Sequence, residues 1–264
     1  MLRKKGCEAV PDQSKRILSQ SKNVIQEGEF VRRPAHRWSP NVGSFMAYLE
    51  QKGLPVEHFV KIENGVEFTT YSQGVLIHPQ KWSDEALFEI GKLTAKLHCA
   101  GETFIPDKQL GFKNWYLREI GDQQRIWCHG DIAPWNLLTK NGMPFCLVDW
   151  ETSGPLDPMI ELARICWLFP QLVDDDLAEL YSLPIPEKRM AQVRLICEGY
   201  GLEQARRKKL PQKIVEVVIC ETAHEAIDPN ITFEDTGALW GFAWRTRSLY
   251  WIWRNRRLLE NALK

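Results

Sequence analysis

Apolar and polar positions follow two different rhythms along this chain. In the first part the apolar runs are short and strand-like. Ile17-Leu18, Asn23–Gln26 and Phe30–Arg33 predict three strands with a turn at Glu27-Gly28-Glu29. Phe59–Ile62 and Val66–Thr70 predict a hairpin around Asn64-Gly65. One helix interrupts them. Ser39-Pro40 reads as N-cap and first turn, and Asn41–Lys52 puts Val42, Phe45, Met46 and Leu49 on one face before Gly53. From Ser83 the period becomes helical, with Leu87, Ile90, Leu93, Thr94 and Leu97 on one stripe and His98 expected at the helix end as a capping or core residue. Asp157 and Glu161 open a helix continuing through Ile165 and Trp167, and acidic residues in a first turn suit the helix dipole. Further helices are expected from Asp174-Asp175-Asp176 and over 187–200, 211–226 and 236–262.

The middle of the chain breaks the pattern in an informative way. Ile126-Trp127-Cys128, Leu137-Leu138-Thr139 and Phe145–Val148 predict short strands, the last two joined by a turn at Asn141-Gly142. Where these strands end stand His129, Asp131, Asn136, Asp149 and Glu151. Polar groups bracketed by apolar runs are costly unless they are paired, hold a metal or do chemistry. His129, Asp131 and Asn136 have the H-x-D-x-x-x-x-N spacing of a kinase catalytic loop, and Asp149 follows a hydrophobic strand as the metal-binding Asp of D-F-G does. Phosphoryl transfer needs one carboxylate to orient or deprotonate the acceptor hydroxyl, and oxygen ligands to hold magnesium on the nucleotide phosphates. Asp131 fits the first role, and Asn136 and Asp149 fit the second.

Composition narrows the alternatives. Hydrophobic content of 44% and charged content of 26% are ordinary for a soluble globular chain. Zero formal net charge argues against a dominant nucleic-acid partner. Eleven Trp point to a large aromatic core. The seven Cys, Cys7 among them, are odd in number, widely spaced and lack a C-x-x-C, which reads as free thiols in a reducing cytoplasm with neither disulfides nor zinc. Residues 1–12 are polar, with no apolar segment behind the basic residues, so no signal peptide is expected, and no run is long enough for a membrane span.

HGDIAPWNLL followed by VDWE resembles the aminoglycoside phosphotransferase and choline kinase superfamily. More narrowly it resembles the branch called phosphotransferase enzyme family, some members of which carry a trifolitoxin-immunity label. Phe30–Pro40, Ser83–Phe104 and Asp157–Ala163 fit the same branch, so the resemblance spans roughly residues 17–170. It implies an α+β, two-lobed protein-kinase-like fold with a small β-sheet lobe and a larger helical lobe. The small lobe, 1–73, would cover the nucleotide, and 74–264 would carry the catalytic and acceptor-binding parts, with Tyr71-Ser72-Gln73-Gly74 as the hinge where adenine is read. It implies transfer of a γ-phosphoryl group from ATP or GTP, with Mg2+, to a hydroxyl of a small molecule of aminoglycoside- or choline-like class. Asp131 would be the base, His129 a brace for the loop, and Asn136 and Asp149 the metal ligands. Glu151 would hold metal-bound water or act as a cap, Glu161 would support the loop, and Asp157 would cap its helix. No protein partner is implied.

The nucleotide-covering part departs from the family. The loop over the phosphates would be Ser19-Gln20-Ser21-Lys22, which has no glycine; its hydroxyls and Lys22 either contact phosphate or form an ordinary hairpin turn. Arg32 and Arg33 stand where a kinase strand carries Lys, and alternation allows one of them onto the inner face. The helix that should supply the partner Glu has Gly43 and Ser44 in its early turns, with Glu50 too late. These gaps favour the rival expectation, a non-catalytic binding or toxin-immunity protein on the same fold. Asp174-Asp175-Asp176 reads as a solvated charge cluster, or more sharply as an acidic surface for a cationic acceptor. The last helix, rich in Trp and Arg, reads as a packing helix whose Arg stems cover apolar surface, against a membrane-surface or ring-stacking role.

Overall fold

The strand-like segments of the N-terminal part pair into one antiparallel sheet. In this computed structural model, which describes residues 15–20, 22–122, 124–227 and 239–264, the strands are β1 (Lys15–Ser19), β2 (Val24–Glu27), β3 (Phe30–Pro34), β4 (Phe59–Glu63) and β5 (Val66–Thr70), in the order β1-β2-β3-β5-β4. The expectations for residues 1–12, Cys7, Ser21 and the first residues of the last predicted helix, 236–238, lie outside the described residues. The β3–β5 register sets Arg33 opposite Glu67 and Arg32 opposite Phe68. Successive side chains point to opposite faces, so the two arginines part company.

Helix α1 (Ser39–Gln51) links β3 to β4. Its start differs from expectation. Trp38 occupies the cap position, Ser39 is already helical, and Ser39 Oγ accepts the His36 N–H at 3.0 Å. Gly43 lies under the Phe59 ring: a Cβ there would sit 2.6 Å from it. Any side chain at Gly43 would have to displace that ring.

The helical lobe begins with α2 (Asp84–Thr103), capped by Ser83 Oγ, which accepts from Ala86 N at 3.1 Å. The helix does not end at His98, because that ring is a hydrogen-bonded core group that costs the helix nothing. Two small hairpin-like sheets follow. β6 (Ile126–Cys128) pairs with β9 (Gly154–Leu156), and β7 (Leu137–Lys140) with β8 (Met143–Leu147). The strand β9, sequence Gly-Pro-Leu, is absent from the sequence reading because Gly and Pro are poor strand formers. Helices α3 (Pro158–Leu168), α4 (Asp175–Leu180), α5 (Pro186–Tyr200), α6 (Gln204–Arg207), α7 (Leu210–Ile227), α8 (Leu239–Arg254) and α9 (Arg256–Ala262) complete the chain. The single helix expected at the end is therefore two, divided at Asn255, whose Nδ2 donates to Trp251 O at 3.0 Å.

The core lies where α2 packs on α5 and α3 on α7. α3 is buried on every side beyond Pro158, as befits a helix that is apolar almost all round. Only Glu161 and Arg164 violate that pattern, and both are paired. α2 and α5 approach closely because glycines face each other across the crossing. A Cβ at Gly91 would lie 2.2 Å from Ile196 O, and one at Gly199 would lie 2.0 Å from Phe88 O. The result is an α+β chain with a small sheet lobe and a larger helical lobe.

The Trp- and Arg-rich C-terminus packs rather than projects. Trp251 and Ile252 are buried, Arg247 pairs with Asp174 and Asp176, and Arg254 pairs with Asp175. The acidic triplet is thus a cap for α4 bound to arginines, not merely solvated. Among the described residues no helix is long and apolar enough to cross a membrane. The described cysteines are free thiols, all buried except Cys99.

Candidate active site

The loop between β6 and β7 is built from the backbone outward. Gly130 has φ of +89°, and a Cβ there would meet Thr152 O at 2.6 Å, so only glycine fits. Its N–H donates to Glu161 Oε1, and its carbonyl accepts from Trp115 Nε1 at 2.8 Å. Thr152 Oγ1 donates to His129 O at 3.1 Å, and Arg118 Nη2 donates to Thr152 O at 2.6 Å. The loop is clamped to the turn after β8 before any side chain is considered.

His129 is a brace. Its Nδ1 accepts from the Asp131 N–H at 3.1 Å, which leaves Nε2 as the donor to Val148 O at 3.1 Å. This single tautomer ties the segment before β7 to the end of β8. Trp150, whose apolar ring predicts packing, is buried against His129 with ring centroids 4.3 Å apart.

Behind the loop lies a second buried pair. His98 Nε2 is 2.8 Å from Glu161 Oε2, and His98 Nδ1 is 2.9 Å from the Tyr200 hydroxyl. Burial pushes the Glu161 carboxyl up, but His98 and the Gly130 N–H outweigh it and hold it below the usual carboxylate range. Cys128 completes a close cluster with these two. Burial pushes its thiol far up, so it packs as a neutral group rather than a thiolate ligand.

Asp131 is fixed from two sides. Asn136 Nδ2 donates to its Oδ2 at 2.9 Å and to its main-chain O at 2.9 Å. On the other side Arg164 Nη1 lies 2.8 Å from Oδ1 but donates to Ile132 O at 3.2 Å, so the contact with Oδ1 is electrostatic and that buried oxygen lacks an aligned hydrogen bond. Arg164 Nε pairs with Glu221 Oε2 at 3.0 Å, and Arg245 pairs with the other Glu221 oxygen at 3.3 Å. Burial pushes the Asp131 carboxyl above the usual range, and Arg164 offsets only part of that.

Asp149 and Glu151 face this loop from the turn after β8. Asp149 has φ of +64°, a left-handed conformation that Asp tolerates better than most residues. Its Oδ1 accepts from Arg33 Nη1 at 3.3 Å and its Oδ2 from Lys22 Nζ at 3.0 Å. Glu151 Oε1 is 2.6 Å from Lys22 Nζ and 3.0 Å from Lys113 Nζ. Burial pushes the Glu151 carboxyl up, and the two lysines overcome it to leave it below the usual range.

The remaining partners come from the sheet lobe. Arg33 is the inward-facing arginine of β3. Besides Asp149 it reaches Glu57 at 3.4 Å and Glu67 at 3.7 Å. Arg32 faces the other way, with Nε 3.1 Å from Glu27, and does not join the cluster. Tyr71 does not join it either, and its N–H is used by Glu29 O at 2.7 Å. Glu57 supplies the carboxylate that α1 lacks. Its Oε1 accepts from Asp149 N at 3.0 Å and its Oε2 from Thr69 Oγ1 at 2.8 Å. Glu57, Lys113 and Arg164 are absent from the sequence reading. A signal existed for Arg164, a lone arginine inside an apolar helix, since a buried charge must be paired.

Lys22, Arg33, Asp149 and Glu151 all line one small cleft between the lobes. Its oxygen donors, the Asp149 and Glu151 carboxylates, are the hard ligands that Mg2+ or Ca2+ prefers. The Lys22 ammonium bridges the two carboxylates, so the pair is arranged to share one cation. These residues therefore fit a divalent ion.

Comparison with known proteins agrees with this architecture. A family model described as phosphotransferase enzyme family matches residues 78–189. The chain is 37% identical over 246 residues to a trifolitoxin immunity protein of Rhizobium leguminosarum bv. trifolii, covering 91% of this chain and 94% of that one. Among solved structures, an amicoumacin kinase in complex with AMP-PNP, Ca2+ and Ami superposes with a TM-score of 0.65 at 14% identity, covering 95% of this chain and 89% of that one. A choline/ethanolamine kinase family protein from Mesorhizobium loti superposes with a TM-score of 0.59 at 16% identity, covering 97% and 95%. At such identities these structures speak for the fold alone.

Proposed function

Because this chain belongs to the phosphotransferase enzyme family, we propose that it moves the γ-phosphoryl group of a nucleoside triphosphate to a hydroxyl of a small molecule. The observation that carries the reading is the meeting of Asp131 and Asn136, joined at 2.9 Å, with an Asp149 held by Arg33 and Lys22 from the other lobe. Each group has a task. Arg164 and Asn136 hold the Asp131 carboxylate still, and Oδ2 keeps a lone pair for the acceptor hydroxyl. The acceptor oxygen forms the new bond to phosphorus as the bond to the β-phosphate oxygen breaks, and the acceptor proton passes to Asp131. Arg33 and Lys22 balance phosphate charge. Asn136, Asp149 and Glu151 would hold Mg2+, which supplies charge neutralisation on the transferred group. Residues up to about 73 form the nucleotide-covering lobe, and Tyr71 lies at its edge.

The second reading is a non-catalytic immunity protein on the same fold. It is favoured by the name of the 37% identical relative, a trifolitoxin immunity protein, and by the glycine-free stretch Ser19–Lys22. One experiment separates the two. Nucleotide turnover is measured against a panel of hydroxyl compounds, with Asp131→Asn as control and a melting curve with and without Mg2+ and ATP or GTP. Catalysis predicts transfer that Asp131→Asn abolishes while nucleotide binding survives. A bound nucleotide at a hundred times its Kd adds about 2.7 kcal/mol of stability. No melting shift and no turnover would leave the binding protein standing.

A further inference from the structure

The acceptor side of the proposed reaction has a visible chemistry. A cavity of about 360 Å3 opens beside the catalytic loop, the size of a small-molecule site. Its walls include Trp135 from the loop, His78, Trp167 on α3, Gln171, and Trp240 and Trp244 on α8. The cavity begins where the partner of Asp131 ends. Arg164, ion-paired with Asp131, has its guanidinium 5.8 Å from the Trp135 ring, and Trp167 is one turn further along α3.

The walls carry no charge. None of the described residues that line the cavity is an Asp, Glu, Lys or Arg. Burial pushes the His78 imidazole below its ordinary range, so it is neutral at pH 7. The nearest acidic triplet is spent on Arg247, Arg254 and the Trp251 N–H. A polycationic sugar would therefore find no carboxylate in the walls.

Aromatic walls can also receive a single ammonium by cation–π attraction. Here two of the rings already bear a guanidinium. Arg245 lies 4.6 Å over Trp244 and Arg164 5.8 Å from Trp135. The carboxylates behind these rings, Asp131, Glu221 and Glu225, are paired with the same two arginines and leave no free counter-charge for a further ammonium. One feature invites something else. Trp244 is stacked on the fully buried Trp167, with centroids 5.3 Å apart and planes 20° apart, which holds its ring as a flat side of the cavity.

We propose that this cavity takes an uncharged, flat aromatic or heteroaromatic alcohol, whose ring lies against the aromatic walls and whose hydroxyl reaches Asp131. The assignment rests on the phosphotransferase reading for its meaning, but its test does not use phosphoryl transfer. Hydroxymethylquinoline, choline and kanamycin are titrated calorimetrically into the nucleotide-free chain, with saturation-transfer NMR to map the bound face. Hydroxymethylquinoline should bind at least tenfold more tightly than either cation. Trp240→Ala, at an exposed ring, should weaken it by roughly 2- to 12-fold, the range for a lost aromatic pair, with melting temperature and AMP-PNP affinity unchanged. Three results would overturn the proposal: choline or kanamycin binding as tightly, no hydroxymethylquinoline binding at millimolar concentration, or binding indifferent to both Trp240→Ala and Trp135→Leu. A chain that binds the probe but never transfers phosphate would refute the enzyme reading and leave the cavity's chemistry intact.

Discussion

The Arg164 guanidinium lies 2.8 Å from Asp131 Oδ1, with the arginine almost wholly buried and the aspartate largely so. An arginine this close stabilises the carboxylate it positions, and so makes Asp131 a weaker base than its buried setting alone would. Asp131 then acts more by orientation than by basicity. Arg164→Leu leaves Asp131 and Glu221 as buried, poorly paired carboxylates, which should cost about 3–5 kcal/mol of stability. It should also move the acid limb of the pH–rate profile to higher pH, because the group that holds the Asp131 carboxyl down is gone. Arg164→Lys should restore part of both. Melting curves and kcat against pH read this; an unmoved acid limb in a folded Arg164→Leu would separate Arg164 from Asp131's ionisation.

Arg33 answers to three carboxylates at once, Glu57, Glu67 and Asp149. Burial already raises the Glu67 carboxyl, with Arg33 only partly offsetting it. Arg33→Ala should therefore lose about 3–5 kcal/mol and most nucleotide affinity together. Arg33→Lys keeps a charge but not the fork that spans three partners, so it should fold and still bind nucleotide weakly. Urea denaturation and AMP-PNP titration distinguish the two; full nucleotide affinity in Arg33→Ala would remove Arg33 from the site.

Lys22 is different because its side chain is 43% exposed. Exposed ion pairs contribute only about 0–1 kcal/mol, so Lys22→Ala should barely change stability. Its effect should appear in cation binding. With the ammonium gone from between Asp149 and Glu151, Mg2+ or Ca2+ should bind the nucleotide-free chain roughly 3- to 10-fold more tightly, a difference of the same order. Calorimetric titration of each ion into both proteins checks this, and equal affinities would mean that these carboxylates are not the ion's ligands.

Glu161 and Asp131 should leave opposite marks on the pH dependence of stability. Glu161 is depressed in the folded chain, so its contribution is present above the unfolded carboxylate pKa of about 4.3 and fades as pH falls through its lower folded value. Asp131 is raised, so its contribution is full below about 3.9 and is lost as pH rises through its folded value. Glu161→Gln should cost about 3–5 kcal/mol at pH 7 and shrink the loss of stability on acidification. Asp131→Asn should shrink the loss of stability on raising the pH. Denaturant melts at pH 4 and pH 7 test both signs.

The periodic parts of the chain were legible, and the paired parts were not. The five sheet strands and the stripe of α2 follow from short apolar runs between turn residues and from helical spacing. The cluster His129, Asp131, Asn136, Asp149 announced itself through the strands around it. What failed was whatever depends on a partner distant in sequence. Nothing local says that Arg33 rather than Arg32 faces inward; the β3–β5 register decides it. Glu57 looks like an ordinary polar residue before a strand until Arg33 and the Asp149 N–H arrive beside it. Ser39 has the residue type of a cap, but its hydroxyl oxygen accepts from the His36 N–H instead. The α2 helix outran His98 because a histidine can be satisfied sideways, by Glu161 and Tyr200, as well as at a helix end.

The glycine crossing of α2 and α5 has a reach beyond packing. Gly91 and Gly199 set how near the two helices come, and His98 on α2 meets Tyr200 on α5 beside that same seam. His98 in turn grips Glu161, which grips the Gly130 N–H. The gap between two helices thus calibrates the pitch of the loop that carries Asp131. A single methyl group inserted at the seam would act as a shim, tilting a reaction centre that it never touches.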